Sequence, residues 1–140
     1  MGEGCQPIRV LIADDAADMA ARIAEALEEH GMVIVGRASD GEAALRLAQE
    51  TQPDVALLDV NMPRLSGLEV ARALTSGGSR SLLLMMSSHD EPALKEASLS
   101  RGAAAFFSKR EGLEPLLAFL QAYAAKRQCP KLSDTTCEPC

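Results

Sequence analysis

Residues 55–67, V-A-L-L-D-V-N-M-P-R-L-S-G, carry the clearest change of pattern in the chain. Val55, Ala56, Leu57 and Leu58 show no polar alternation, which predicts a strand covered on both faces, as in a parallel sheet between helices. Asp59 then falls at the strand's carboxyl end. Pro63 lacks a backbone donor and cannot continue a central strand, while Ser66 with Glu69 has the capping-box spacing that opens a helix. Residues 8–13 read as another buried strand, ending at Asp14-Asp15. Met19, Ile23, Ala26, Leu27 and His30 follow on one helical stripe, with Gly31 just past its end. Residues 32–38 are strand-like through Val33, Ile34 and Val35, and Ser39 with Glu42 predicts a second capping box before a helix to about residue 50. Gln52-Pro53 closes that unit. A third helix over 67–74 stops at Ser76-Gly77-Gly78. A strand over 82–86 precedes a helix over about 91–101, which Gly102 ends, and a strand over 103–108 precedes a last helix over about 113–127.

Five such repeats with short connections imply an α/β fold: a doubly wound parallel sheet with right-handed crossovers and helices on both faces. At 140 residues the chain is expected to form one domain with a core large enough to need neither metal nor disulfide. Thirteen residues, 128–140, have little apolar content to pack and are expected to be a mobile tail.

Charge and cysteine usage narrow the function. The net charge is −6, and no basic run exceeds Lys109-Arg110, so direct contact with nucleic acid or an anionic membrane is not expected. The apolar runs fall short of the roughly 20 residues a membrane span needs, and M-G-E-G-C-Q-P lacks the regions of a secretory signal; a cytoplasmic location is expected. Cys5, Cys129, Cys137 and Cys140 lie outside the patterned core and hold no disulfide framework. C-E-P-C has metal-ligand spacing but lacks a convincing fourth ligand, so no zinc role is assigned.

In a parallel sheet the strands' carboxyl ends share one edge, which gathers Asp14, Asp15, Asp59, Ser87, Ser88 and Lys109. Each has a bland reading. A strand-end Asp is ordinarily a turn or cap residue, Asp14-Asp15 can cap a helix, Lys109 can sit solvated in a loop, and Ser87 can be an ordinary hydroxyl. Together they leave a local charge of about −2, and two like charges about 4 Å apart repel by roughly 4 kcal/mol at an effective dielectric near 20. A cation is called for. Hard oxygen ligands in a small, partly hydrated site favour Mg²⁺. With it, Asp59 can act as a nucleophile toward phosphorus, with Lys109 and the Ser87 hydroxyl holding phosphoryl oxygens.

The acidic pair after the first strand, L-L-D-V-N-M-P-R-L-S-G, M-M-S-S and F-F-S-K occur in the order of a response-regulator receiver domain of two-component signalling, which the chain resembles over residues 8–127. The resemblance implies a flavodoxin-like sheet of order 2-1-3-4-5, with residues 1–127 as the receiver. It implies phosphorylation of Asp59, Mg²⁺ held by Asp14, Asp15, Asp59 and the Asn61 carbonyl, and a switch pair of Ser87 and Phe106. Phe106 is equally readable as a core aromatic. Asn61 and His89 are placed to tune the phosphoryl group's lifetime, although an exposed loop histidine is the plainer reading of His89; His30 is read as structural. Implied partners are a histidine kinase or a histidine phosphotransfer protein, and a second copy or an effector at the face of the fourth helix, fifth strand and fifth helix. Phe119 and Tyr123 are read as partly exposed anchors there. Two departures stand out: Arg110 replaces the proline that usually follows the lysine, removing the residue that favours a cis bond, and Ser88 replaces the usual alanine or glycine.

Two other classes stay in view. An aspartyl-nucleophile phosphatase wants a second Asp two residues on, where Asn61 stands. A flavin module wants a phosphate-cradling loop after the first strand, whereas Ala13-Asp14-Asp15-Ala16 repels phosphate. A stand-alone regulator that assists its own phosphotransfer without being an enzyme, and a receiver fragment of a longer DNA-binding regulator, both remain open.

Overall fold

The computed structural model describes residues 7–62, 64–87 and 92–128. Their order is β1 Arg9–Ala13, α1 Ala17–Glu29, β2 Val33–Ala38, α2 Gly41–Thr51, β3 Val55–Asp59, α3 Gly67–Ser76, β4 Leu82–Ser87, α4 Pro92–Ser100, β5 Ala105–Ser108 and α5 Glu114–Gln128. All pairings are parallel, in the order β2-β1-β3-β4-β5.

Both parities of the central strands are apolar because each faces a different helical layer. Leu11, Ala56, Leu58, Leu83 and Met85 pack with Ala44 and Ala48 of α2 and Val70, Ala71 and Leu74 of α3. Val10, Ile12, Val55, Leu57, Leu84 and Met86 meet Ile23 and Leu27 of α1 and Leu116 and Leu120 of α5. Burying both faces fixes register, since a one-residue slip would exchange the two sets. Val55 pairs with Val10 and Leu82, and Asp59 with Met86.

Local sequence sets the helix starts with one correction. Ser66 caps α3 as expected, its hydroxyl accepting from the Glu69 N–H at 3.2 Å. The cap of α2 is Asp40 rather than Ser39: its Oδ1 accepts from the Ala43 N–H at 2.8 Å. The later start lets Gly41 seat against the Leu65 carbonyl, where a Cβ would lie 1.9 Å from the oxygen. His30 is exposed rather than part of a buried stripe; its Nδ1 lies 2.8 Å from the Ala26 carbonyl at the end of α1. Phe119 is half-buried, edge-on to Phe107 with ring centroids 5.7 Å apart, and Tyr123 packs on the same core. Both are partly exposed, as expected, while their inner sides pack on the core. Cys5, Cys129, Cys137 and Cys140 lie outside the described residues.

Candidate functional site at the carboxyl edge of the sheet

β1, β3, β4 and the turn after β5 bring Asp14, Asp59, Ser87 and Lys109 to one edge. Asp14 follows β1 and is almost fully buried. Its main-chain N–H donates to the Ala38 carbonyl at 3.0 Å, and its Oδ1 accepts from the Ala16 N–H at 2.9 Å. That turn opens α1, whose N-cap Ala16 has no side chain to do so. The bland reading of Asp14 is therefore true of one oxygen. Its Oδ2 is buried and meets the Lys109 ammonium at 2.7 Å.

Asp59 ends β3 and is 5 % exposed. Oδ1 accepts from the Asn61 N–H at 3.2 Å and Oδ2 from Lys109 Nζ at 3.1 Å. Burial pushes its carboxyl up from 3.8 to about 6; the charge and hydrogen bond of Lys109 oppose that rise, Asp14 adds to it, and the Asn61 N–H opposes it. For Lys109, burial pulls downward, but the hydrogen bonds and charges of Asp14 and Asp59 win and leave the ammonium above its ordinary value. Lys109 thus bridges two acids at the ends of the adjacent, paired strands β1 and β3.

Ser87 ends β4, fully buried and in register with Ser108 of β5. Phe106 pairs with Met85 and packs half-buried against the α2–α3 side of the core. Asn61 is exposed on the loop after β3. Ser88 and His89 lie outside the described residues. The peptide bonds described are all trans, the one joining Lys109 to Arg110 included.

Oxygens of Asp14, Asp15 and Asp59 all lie within 4.8 Å of one another, with Asp15 on the exposed side. Three carboxylates against one ammonium leave −3 + 1 = −2 within this set. An all-oxygen donor set with excess negative charge, open to water on one side, fits a small hard cation such as Mg²⁺.

Sequence reading missed how the site is braced. A Cβ on Gly67 would stand 2.2 Å from the Asp59 carbonyl oxygen and 2.9 Å from Met85 Cε, so only glycine lets α3 start this close to the end of β3. Gly67 N–H also donates to the Val60 carbonyl at 3.0 Å. Arg64, at φ +73, turns the same loop and places its Nε 3.5 Å from Asp40 Oδ2, the carboxylate that caps α2. The glycine in L-S-G was visible in the sequence; its neighbour was not.

This fold and edge are those of a signalling receiver, and the chain belongs to the response regulator receiver domain family, which it matches over residues 10–121. It is 42 % identical over 105 residues to the probable transcriptional regulatory protein NarL of Mycobacterium tuberculosis, covering 74 % of this chain and 49 % of the relative. Response regulator MprA of Mycolicibacterium vanbaalenii is 38 % identical over 116 residues, covering 83 % and 50 %. The chain thus spans about half the length of these curated relatives. Among solved structures, the receiver domain of the M. tuberculosis NarL superposes with a TM-score of 0.80 at 38 % identity, covering 85 % of this chain and 97 % of that one. Chemotaxis protein CheY4 of Vibrio cholerae gives 0.76 at 29 % identity, covering 84 % and 98 %. The protein is a two-component response-regulator receiver; among the described residues no helix is long and apolar enough to cross a membrane.

Proposed function

We propose that Asp59 is the phosphoacceptor of this receiver and that Lys109 and Ser87 hold the incoming phosphoryl oxygens. The observation that carries the reading is the single ammonium bridging Asp14 and Asp59 at 2.7 and 3.1 Å beneath an exposed third acid, Asp15. Lys109 and the Asn61 N–H together fix the orientation of the Asp59 carboxylate, which favours attack in one direction. In that attack an Asp59 oxygen bonds to phosphorus while the bond from phosphorus to a donor imidazole nitrogen breaks. The leaving imidazole keeps the electron pair and takes its proton from solvent. Lys109 is then free to exchange its contact with Asp59 for one with a phosphoryl oxygen. The carboxylates of Asp14, Asp15 and Asp59, with the Asn61 carbonyl, would hold Mg²⁺, which supplies positive charge to the phosphoryl oxygens when bound.

The buried Ser87 and half-buried Phe106 sit on adjacent strands, so a hydroxyl drawn toward the phosphoryl group opens a path for the ring. That supports the pair as a switch acting on the face of α4, β5 and α5. Asn61 and His89 are read as tuning dephosphorylation, the donor as a histidine kinase or histidine phosphotransfer protein, and the output as a second copy or an effector. The chain takes part in phosphotransfer without turning over a substrate, in the cytoplasm, with residues 1–127 as the receiver; the tail expected over 128–140 lies outside the described residues except for Gln128, which ends α5. A second reading, a receiver that controls a DNA-binding output, is favoured by the description of its relative as a transcriptional regulatory protein; the complete reading frame decides it. For the main reading, phosphate-affinity electrophoresis with a small phosphodonor and Mg²⁺ should shift wild type and leave Asp59→Asn unshifted. Equal labelling of the two proteins sinks it.

A further inference from the structure

Lys109 reaches both acids from a turn that begins where β5 stops. Residues Lys109–Glu111 form a short 3-10 turn, and Ser108, still extended at φ −90 and ψ 130, stands at its N-cap. The Ser108 hydroxyl accepts from the Arg110 N–H at 3.2 Å. Gly112, at φ +81, closes the other end by donating its N–H to the Lys109 carbonyl at 3.3 Å. A proline at 110 would carry no N–H to satisfy; an arginine does, and the serine two residues earlier takes it.

We propose that Ser108 is a positioning residue that sets the Lys109 ammonium between Asp14 and Asp59, and through it the rate at which Asp59 is phosphorylated. The lysine side chain has four rotatable bonds, so the backbone controls its path only through the direction in which it leaves the chain. That direction is fixed by the cap. Upstream, Ser108 is itself held by its register with Ser87 on β4, so the cap ties the lysine to the strand that carries the site's hydroxyl. Without an acceptor at 108, the turn loses the bond that starts it and the ammonium is released toward solvent. The link to rate rests on the phosphoacceptor reading above; the placement of Lys109 does not.

Ser108→Thr and Ser108→Val test it, because the two side chains share a shape and differ in the hydroxyl. Wild type and both variants are treated with an amine-acylating reagent, and modification of Lys109 is measured by mass spectrometry against the exposed Lys95. Lys109 should react several-fold faster in Ser108→Val and as in wild type in Ser108→Thr. Should the valine variant fail to fold, Ser108→Ala against wild type gives the same contrast. Phosphorylation by acetyl phosphate with Mg²⁺ should be roughly 5-fold slower in the valine variant than in the threonine one, within the roughly 2- to 30-fold that a lost cap spans. Equal Lys109 reactivity in the valine and threonine variants overturns the proposal, as does unchanged phosphorylation in a valine variant whose Lys109 is exposed. If wild type takes up no phosphoryl group while Lys109 reactivity separates the variants, the phosphoacceptor reading fails and the placement by Ser108 stands.

Discussion

β3 and β5 carry opposite charges to the same cleft from different depths of the sheet. β3 is paired on both sides, and all five of its residues are buried; β5 is an edge strand paired only with β4, and all four of its residues are half-buried. Asp59 is part of its strand, in register with Met86 of β4 and with Gly67 seated against its carbonyl, so packing holds its backbone. Lys109 lies past the end of its strand, in a turn, and its ammonium is held by the two carboxylates it pairs. The acid's backbone is fixed by packing, whereas the ammonium is held by charge at the end of a stem that only its turn aims. A group held by charge moves when the charge changes, which is what a phosphoryl group on Asp59 would do. Phe106 lies on that softer strand as well.

The largest effect should come from removing the charge. Lys109→Met keeps the stem's volume but leaves Asp14 and Asp59 buried without a counter-ion, and breaking a buried pair by deleting one partner costs about 3 to 5 kcal/mol. Loss of its attractive pull also raises Asp59 further, so the burden is heaviest where both acids are ionised. Urea unfolding at pH 8 should show a loss of about 4 kcal/mol, and a clearly smaller one at pH 5. Equal losses at the two pH values would mean that the stem, not the ammonium, is what matters.

Next comes packing on the two strands. Leu58→Ala empties a fully buried site on β3 and should cost about 3 kcal/mol, within the range for buried leucine truncations. Phe107→Ala removes a larger side chain, but a half-buried one on β5, and with it the edge contact to Phe119; about 2 kcal/mol is expected. Chemical unfolding of the two variants side by side checks the order. A phenylalanine loss as large as the leucine one would erase the distinction between a rigid centre and a yielding edge.

The three central strands were legible because both of their parities are apolar, and that pattern has one solution in an α/β fold. The edge was less so. Residues 103–108 read as one strand, yet β5 starts only at Ala105, because Ala103 and Ala104 are as apolar in a loop as in a strand. The turn at Lys109–Glu111 was not foreseen, since its cap is a serine two residues from an amide that proline would have lacked. Three of the four site positions stood out because each terminates an apolar run, and Lys109 because it follows one by a single serine. What held them did not, because the contacts of Gly67 with Asp59, Arg64 with Asp40 and Phe119 with Phe107 join elements that only the folded chain brings together. A helical wheel put Phe119 on a flank correctly and could not know that a strand aromatic waits there.

The smallest effect tests whether Asp59 sits at a cost where packing has put it. Its folded carboxyl titrates near 6, above the ordinary 3.8, with burial as the main cause. A raised acid contributes stability that is complete below about 3.8 and is lost as pH rises through about 6. Above that, the folded state carries an ionised carboxylate it would sooner keep protonated. At 1.36 kcal/mol per pKa unit the interval caps this contribution near 3 kcal/mol, and the attraction between Asp59 and Lys109, which a neutral side chain cannot make, reduces what the replacement recovers. Asp59→Asn keeps the shape and the Asn61 contact, and Lys109 keeps Asp14 at 2.7 Å. The variant should therefore be more stable than wild type by about 1 to 2 kcal/mol at pH 7.5, a rise of roughly 3 °C or more in Tm, and no more stable at pH 4. Thermal unfolding of both proteins at the two pH values reads the difference. A variant weaker than wild type at pH 7.5 would mean that Lys109 already compensates Asp59 in full, so that charge, and not shape alone, fixes the acid as well as the base.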